Sequence, residues 1–274
     1  MTAHAKLARH QIKESVMQIF KRGQASEIPA SIYGGKAANL SELVNAGFNV
    51  PPGFVLSPND GAYMDSPSIL NRSDPNFFQN LIYEICGGFP VAVRSSAIGE
   101  DGEGFSFAGQ YDTVLNLFTV EDVIKAINEV AASASNARVE AYQEANNLEA
   151  TGVGVIVQAM VRPSSAGVMF TAEPVESDPS LIAIEAVQGL GDKMVSGQAS
   201  PDFHLLDKVT GATVESTCIN DPVLGRIEIN ALYKAGVAIE SHYGCPQDIE
   251  WAFGLGSDGE MGLFILQSRP ITTL

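Results

Sequence analysis

Apolar residues recur every three to four positions in some parts of the chain and alternate with polar residues in others. The first pattern is typical of helices that bury one face, and the second of half-buried strands. Several strand-like runs are joined by short polar turns. Helical spacing predicts helices over residues 1–20, 39–46, 77–85, 120–147 and 227–243. Antiparallel hairpins mixed with helices favour an α+β fold over a doubly wound parallel sheet.

Three segments have the pattern of a β-hairpin. The runs "GVGVIVQAMV" and "AGVMFTA" flank the turn "RPSS", and "DFHLLD" and "TVEST" flank a turn at Thr210-Gly211. Near the end of the chain, "DIEWAF" and "LFILQSRPI" flank a turn rich in glycine. Each pair predicts two antiparallel strands that are neighbours in a sheet.

The last hairpin collects charge on one face. Alternation along a strand places Asp248 and Glu250 on the same side, and it does the same for Gln267 and Arg269. If the strands pair, two carboxylates, an amide and a guanidinium converge. This group is either a solvent-facing surface with a cross-strand ion pair or a site in which carboxylates hold Mg²⁺ and the arginine holds a phosphate. The spacing alone leaves both interpretations open.

Basic residues beside glycines are the other candidates for chemistry. Lys36 in "GGKAANLSEL" stands at the start of a predicted helix, which is a suitable place for an anion, although the Walker A spacing is absent. Arg94 follows a buried strand and precedes a glycine-rich loop that could fold over phosphates. A capping turn with a solvated lysine and an ordinary surface loop remain the alternatives. Gln158 lies on an apolar run that could form a slot for a flat base, and Glu185 precedes a further glycine-rich loop.

The charge balance bears on the possible ligands. The net charge of −16, with only 16 lysines and arginines, argues against nucleic-acid binding, which needs a basic surface. No apolar run is long enough to cross a membrane, and the first residues lack the pattern of a signal peptide. We therefore expect a cytoplasmic protein without a membrane or nucleic-acid partner.

The cysteines and histidines show no ligand spacing. Cys86, Cys218 and Cys245 are far apart and form no C-x-x-C pair, so we expect neither a disulfide framework nor a zinc site. The cysteines are predicted to be small buried hydrophobic residues. None of the four histidines stands beside a base, so none is assigned to catalysis.

Taken in order, these stretches resemble the nucleotide-binding domain shared by phosphoenolpyruvate synthase, pyruvate phosphate dikinase and rifampicin phosphotransferase. The matching segments are "GGKAANLSEL…AGFNVPPGFVL", "VAVRSSAIGED…SFAGQYDTVLN", "VIVQAMV…AGVMFTAEP", "IEAVQGLGDKMVSGQASPD" and "PQDIEWAF…LFILQSRPIT". The resemblance runs from about residue 32 to residue 272. It implies an ATP-grasp fold, with antiparallel sheets and two subdomains that clasp the nucleotide.

The resemblance also implies an organisation and a set of roles. Residues 1–30 precede the matching segments and are predicted from their own pattern to form an N-terminal helix and linker. The resemblance implies that residues 31–115 form the first subdomain and residues 116–274 the central and C-terminal subdomains. Lys36, Arg94 and Arg269 would stabilise the phosphoryl group during transfer, and Asp248, Glu250 and Gln267 would hold Mg²⁺. The residues implied in ATP binding are Lys36, Arg94, Gly109, Thr113, Val114, Gln158, Glu185, Gln267 and Arg269.

The implied activity is an ATP- and Mg²⁺-dependent phosphoryl transfer. In the family the phosphoryl group is received by a histidine on a further domain, and this sequence lacks the glycine-rich segment that bears it. We therefore expect a separate acceptor, either a histidine-bearing carrier protein or a small molecule. Ala37 departs from the family by replacing a usual glycine. An ATP-grasp ligase that acts through an acyl phosphate and a non-catalytic nucleotide-binding module remain alternatives.

Overall fold

A computed structural model describes residues 17–57, 76–97, 113–145, 153–191, 200–218 and 221–271, with the backbone alone for residues 133–145. The described residues form two compact units. The first unit is drawn from Met1–Asn45 and Pro51–Met160, and the second from Ala46–Val50 and Val161–Leu274. Compact units need not coincide with the subdomains of a fold family, so the predicted boundary at residues 115/116 stays a prediction.

The first unit contains a five-stranded antiparallel sheet with the strand order β1-β2-β5-β3-β4. Its described elements are β1 (Met17–Phe20), α1 (Ala30–Tyr33), α2 (Gly35–Asn45), β2 (Gly53–Leu56), α3 (Phe77–Cys86), β3 (Val91–Ala97), β4 (Thr113–Leu117), α4 (Val120–Ala145) and β5 (Val153–Ala159). One face of the sheet carries the core of this unit, because Val93, Val155 and Phe54 pack there against Ile82 of α3 and Ile127 of α4.

The second unit contains a six-stranded antiparallel sheet with the strand order β11-β10-β6-β7-β8-β9. Its described elements are β6 (Arg162–Phe170), β7 (Leu181–Gln188), β8 (Asp202–Asp207), β9 (Thr213–Thr217), α5 (Arg226–Tyr243), β10 (Gln247–Leu255) and β11 (Met261–Pro270). Two antiparallel sheets with accompanying helices confirm the predicted α+β class.

Helix α5 covers one face of the second sheet. Gly236 lies against the side chain of Met169, which stands opposite Ile249 in the sheet register. Ile249 and Trp251 are fully buried, and both point to this same side because they alternate with Asp248 and Glu250. We call the side covered by α5 the helix face and the opposite side the open face.

The helices predicted near residues 77–85 and 227–243 are confirmed, and both end at a glycine. Gly87 and Gly244 adopt the left-handed conformation that favours glycine, with φ values of 78° and 71°. The Gly244 amide donates to the Glu240 carbonyl at 2.8 Å, which satisfies a terminal acceptor of α5. Within the described residues, no helix has both the length and the apolar character needed to span a membrane.

The helix predicted over residues 1–20 is wrong at its last four residues. Met17–Phe20 form β1, which pairs with β2 from Met17 opposite Leu56 to Phe20 opposite Gly53. The ring of Phe20 fills the space that a side chain at Gly53 would occupy, and Phe20 is fully buried. Burial in the sheet therefore outweighs the local helical spacing. Residues 1–16 lie outside the described part of the chain.

The predicted hairpin across "RPSS" is also wrong. Strand β5 pairs with β2 and β3 in the first sheet, whereas β6 pairs with β7 and β10 in the second. The residues "RPSS" are not a turn but the beginning of β6. The chain therefore changes sheets between Ala159 and Arg162. Two successive apolar strands on either side of a short polar segment are compatible with both arrangements.

The cysteines are less uniform than predicted. Cys86 is buried, and that burial raises the pKa of its thiol to about 12, so it behaves as the small hydrophobic residue expected. Cys218 and Cys245 are both partly exposed. The prediction of burial is therefore correct for Cys86 and wrong for the other two.

Candidate functional site

The hairpin of β10 and β11 brings the four polar side chains together as predicted. Asp248 stands opposite Arg269, and Glu250 stands opposite Gln267. Residues directly opposite each other in an antiparallel pair project to the same face. All four therefore lie on the open face. The register shifts immediately afterwards, where Leu266 is the extra residue of a bulge, a device that often redirects side chains beside functional sites.

A charged hydrogen-bond pair fixes one end of this group. Arg269 donates from Nε and from Nη2 to Asp248 Oδ2, at 2.9 and 2.8 Å. Burial raises the pKa of Asp248, the Arg269 guanidinium opposes that shift, and the negative charge of Glu250 adds to it. Two half-buried carboxylates two residues apart thus carry an electrostatic cost, which a cation bound between them would relieve.

Glu185 joins the same group through the strand order of the sheet. Glu250 stands opposite Val168, and Val168 stands opposite Glu185. Glu250 and Glu185 are therefore in one row across the open face, separated by a single strand, or about 10 Å of backbone distance. Since Val168 is apolar, the row combines carboxylates at its sides with a hydrophobic floor.

The donor set of the open face fits magnesium. Glu250, Gln267 and Asp248 offer hard oxygen atoms, which Mg²⁺ prefers over nitrogen and sulfur. The two contacts that Arg269 makes with Asp248 both use Oδ2, which leaves Oδ1 as the oxygen that could reach a cation. Gln267 is 8% exposed and so is held by its surroundings. These features support the assignment of Asp248, Glu250 and Gln267 as metal ligands, which stays a prediction.

The Arg269–Asp248 pair gives a stability prediction. We expect Arg269→Met to lower the free energy of unfolding at pH 7 by about 1–3 kcal/mol, because the half-buried carboxylate of Asp248 loses its partner. The Arg269 side chain is 36% exposed, so solvent screening keeps the loss at the lower end. Urea unfolding measures the effect, and Arg162→Met, which removes an exposed arginine of β6, is the matched control.

The same substitution has a pH signature. The pKa of Asp248 is raised in the folded state, and removal of Arg269 raises it further. The deficit is therefore present when the carboxylate is ionised and disappears as the pH falls through that raised pKa, since the neutral acid needs no cation. An Arg269→Met deficit that is constant from neutral to acid pH would contradict the pairing argument.

In the first unit, Lys36 is tied to the strand that carries Arg94. The amide of Ala37 donates to Ser96 Oγ at 3.0 Å, and Ser96 lies two residues after Arg94 on the same face of β3. Lys36 is the second residue of α2, so its backbone is held beside this face. Amides at a helix start together with two cationic side chains are suited to phosphate oxygens.

Close backbone contacts fix this arrangement, and sequence analysis missed them. A Cβ added to Gly34 would lie 2.2 Å from the Ser96 carbonyl oxygen, and one added to Gly154 would lie 2.3 Å from the Tyr33 oxygen. Neither glycine leaves room for a side chain. The buried Ala37, 0% exposed, shows that the departure from the usual glycine is accommodated. The pair of glycines before Lys36 was the only signal of these contacts in the sequence. It does not show that Gly34 packs against Ser96, which depends on the fold.

The remaining predicted ATP-binding residues have mixed surroundings. Gln158 is 3% exposed, and its Nε2 donates to the Pro51 carbonyl at 3.0 Å, so its amide oxygen is the group that could meet a base. Thr113 is exposed opposite Arg94 and shares its face. Val114 packs on the core of the first unit, on the other face. Gly109 lies outside the described residues.

A comparison with models of protein families shows which family the chain resembles. It matches the family model described as "Pyruvate phosphate dikinase, AMP/ATP-binding domain" over residues 75–223 and 207–274. These segments include the strands that bear Arg94, Gln158, Glu185, Glu250 and Arg269. Since most of the chain is covered, the match is not restricted to one motif.

Three relatives show which kinds of protein contain a part similar to this chain. A "Probable phosphoenolpyruvate synthase" of Methanothermobacter thermautotrophicus is 37% identical over 89% of this chain. A rifampicin phosphotransferase of a Streptomyces species is 33% identical over 88% of it, and a prodigiosin synthesizing transferase of Serratia marcescens is 32% identical over 88%. The matches span 44%, 34% and 31% of those relatives.

This chain therefore spans less than half the length of the relatives it matches. This chain has an α+β architecture with two antiparallel sheets. This is the architecture that the resemblance implied for an ATP-grasp protein. Its matched residues reach from α3 to the last strand, β11. The chain belongs to the family of the pyruvate phosphate dikinase AMP/ATP-binding domain.

Proposed function

We propose that this protein binds ATP with Mg²⁺ and transfers a phosphoryl group to an acceptor that binds separately. The observation that carries the proposal is the open face of the second sheet. There, two acids, an amide and an arginine share one side of a hairpin, while the other side is covered by α5. An ordinary solvated surface would not need an acid such as Asp248, whose pKa is raised by burial and by the neighbouring charge of Glu250.

The described residues would act by binding and positioning. Lys36, Arg94 and Arg269 would bind phosphate oxygens and offset the charge that develops on the transferred group. Arg269 is held in place by Asp248, so its guanidinium is oriented before substrate binds. The amide oxygen of Gln158 would meet the adenine, and Glu185 would contact the nucleotide from its place in the row of Glu250.

Mg²⁺ would be held by Asp248, Glu250 and Gln267. When bound, the ion neutralises phosphate charge and orients the polyphosphate for displacement. This requirement also explains how a protein with a net charge of −16 accepts a polyanion. Each of the proposed groups binds or positions the nucleotide, the metal ion or the transferred group, so the proposed transfer is direct and uses no covalent intermediate on these residues.

The acceptor is the part of the reaction that differs among relatives. Their names refer to phosphoenolpyruvate synthesis, to rifampicin and to prodigiosin, which are chemically unlike. A nucleotide-binding part common to all three is compatible with transfer to different acceptors. We propose a histidine-bearing carrier or a small molecule as the acceptor of this protein.

ATP labelled at the β or the γ phosphate tests the proposal. The full chain is incubated with Mg²⁺, labelled ATP and either a histidine-bearing carrier domain from a phosphoenolpyruvate synthase or a set of small hydroxyl compounds. We expect label in the acceptor, with AMP formed if the β phosphoryl group is transferred and ADP if the γ group is. Omission of Mg²⁺ should abolish the signal.

The alternatives give different results in the same assay. ADP release that requires an acid and an amine together would identify a ligase. Saturable ATP binding without AMP, ADP or labelled acceptor under any condition would identify a non-catalytic module. Either result would overturn the proposed phosphoryl transfer.

A further inference from the structure

A second group of ligand-type side chains lies on the helix face, away from the nucleotide-binding candidates. An oxygen of Asp202, a ring nitrogen of His204 and the sulfur of Cys218 lie within 4.8 Å of one another. His204 stands opposite Ile184, and Ile184 opposite Met169, so this group is on the side of the sheet opposite Glu185. We propose that these three residues bind a divalent transition-metal ion of the zinc type.

The surroundings of the histidine support a metal at this place. His204 is 3% exposed, and its Nδ1 is 3.0 Å from Ser216 Oγ. Its Nε2 is buried and has no hydrogen-bond partner among the described residues. A buried polar atom without a partner is costly and uncommon. A metal bond to the ring would satisfy it, with the other nitrogen protonated and donating to Ser216, as is usual for metal-bound histidines.

The charges and the donor types also fit. A carboxylate, a thiolate and a neutral imidazole together carry two negative charges, so a divalent ion makes the site neutral, which keeps its burial inexpensive. Nitrogen, sulfur and oxygen donors in a set of three suit Zn²⁺ with a water as the fourth ligand. They do not suit Mg²⁺, which prefers oxygen alone. The site therefore does not duplicate the one proposed on the open face.

The fold holds two of the ligands in place. Asp202 Oδ2 accepts a hydrogen bond from the Val223 amide at 2.8 Å, and both Asp202 and His204 are on β8, which is paired with β7 and β9. Cys218 follows β9 directly and is partly exposed, so an ion can reach it. Ligand atoms of a tetrahedral zinc site are roughly 3.5 Å apart, given bonds of about 2.0–2.3 Å. Small side-chain rotations would close the site.

Cobalt substitution tests the proposal on the full chain. The protein is stripped of metal with a chelator, reduced and titrated with Co²⁺. We expect one thiolate-bound ion per chain, seen as a thiolate-to-cobalt charge-transfer band in the near ultraviolet that saturates at one equivalent, together with visible bands of a four-coordinate site. Zn²⁺ should displace the cobalt and raise the midpoint of thermal unfolding.

Variants identify the ligands. Cys218→Ser should remove the charge-transfer band, whereas Cys245→Ser, at the other partly exposed cysteine, should retain it. His204→Gln should weaken binding by at least about tenfold, and Ser216→Ala by a smaller factor. Since Cys218 is partly exposed, its serine variant decides the question even if His204→Gln fails to fold, with circular dichroism as the check.

Two results would overturn the proposal. One is a wild-type protein that binds no Co²⁺ or shows no thiolate band. The other is a band that survives Cys218→Ser but is lost in Cys245→Ser. Neither depends on ATP, so the outcome is separate from that of the proposed phosphoryl transfer.

Discussion

Glu250→Gln should reduce Mg²⁺-dependent ATP turnover by about 10²–10³-fold, since a charged ligand and its electrostatic stabilisation are lost together. Initial rates of AMP or ADP formation, measured across a range of Mg²⁺ concentrations, report the effect. Part of the loss should be recovered at high Mg²⁺, because the neutral amide still offers one oxygen. Glu260→Gln, in the exposed turn of the same hairpin, is the matched control and should leave the rate unchanged.

Stability should move in the opposite direction. Glu250 contributes to the raised pKa of Asp248, so its removal relieves a like-charge repulsion. We expect the free energy of unfolding of Glu250→Gln without metal to be equal to or slightly above that of the wild type, by a few tenths of a kcal/mol. Lost activity with retained stability indicates a residue kept for function. A variant that is unstable but fully active per folded molecule would contradict the assignment.

Gly34→Ala is expected to weaken MgATP binding by about 10–100-fold, because it displaces the start of α2. Gly34 has φ 87° and ψ 161°, a conformation almost confined to glycine. Its new methyl group would also meet the Ser96 carbonyl at 2.2 Å. To relieve the contact, the segment with Lys36 must move away from the strand of Arg94, and displacements of about 1 Å can be costly at a binding site. Calorimetric titration with MgATP measures the change.

The control for this variant is Gly23→Ala. Gly23 also has a positive φ, 77°, but no atom lies within 4 Å of the position that a Cβ would occupy there. It therefore tests backbone strain without the clash, and we expect at most about 1–2 kcal/mol of destabilisation and unchanged MgATP affinity. If Gly34→Ala and Gly23→Ala bind MgATP equally well, the start of α2 does not hold the phosphates.

The last hairpin could be predicted from the sequence because its register has few alternatives. A slip of one residue would turn Asp248 and Glu250 towards the helix face and expose Ile249 and Trp251. Burying the two acids and exposing the two apolar side chains would cost free energy, and this cost fixes the register in which Asp248 and Glu250 stand opposite Arg269 and Gln267. The predicted convergence of the four polar side chains is confirmed. The short glycine-rich turn also limits how the strands can meet.

Strand order could not be predicted in the same way. Glu185 stands in line with Glu250 only because β6 lies between their strands, and the sequence predicted β6 as the partner of β5 instead. The alternation of "PDFHLLD" does place Asp202 and His204 on one side. Their meeting with Cys218, however, depends on the register of β8 and β9. Local patterns predict which face a residue occupies but not which strand is its neighbour.

The burial of Trp251 gives the protein an optical reporter of its own. It is the single tryptophan of the chain, it is fully buried, and its indole N–H has no hydrogen-bond partner among the described residues. Fluorescence from such a ring is emitted at short wavelength and shifts to the red when water reaches it. Because Trp251 follows Glu250 but projects to the opposite side of β10, ligand titrations can be followed by its emission without a dye and without altering the residues that bind.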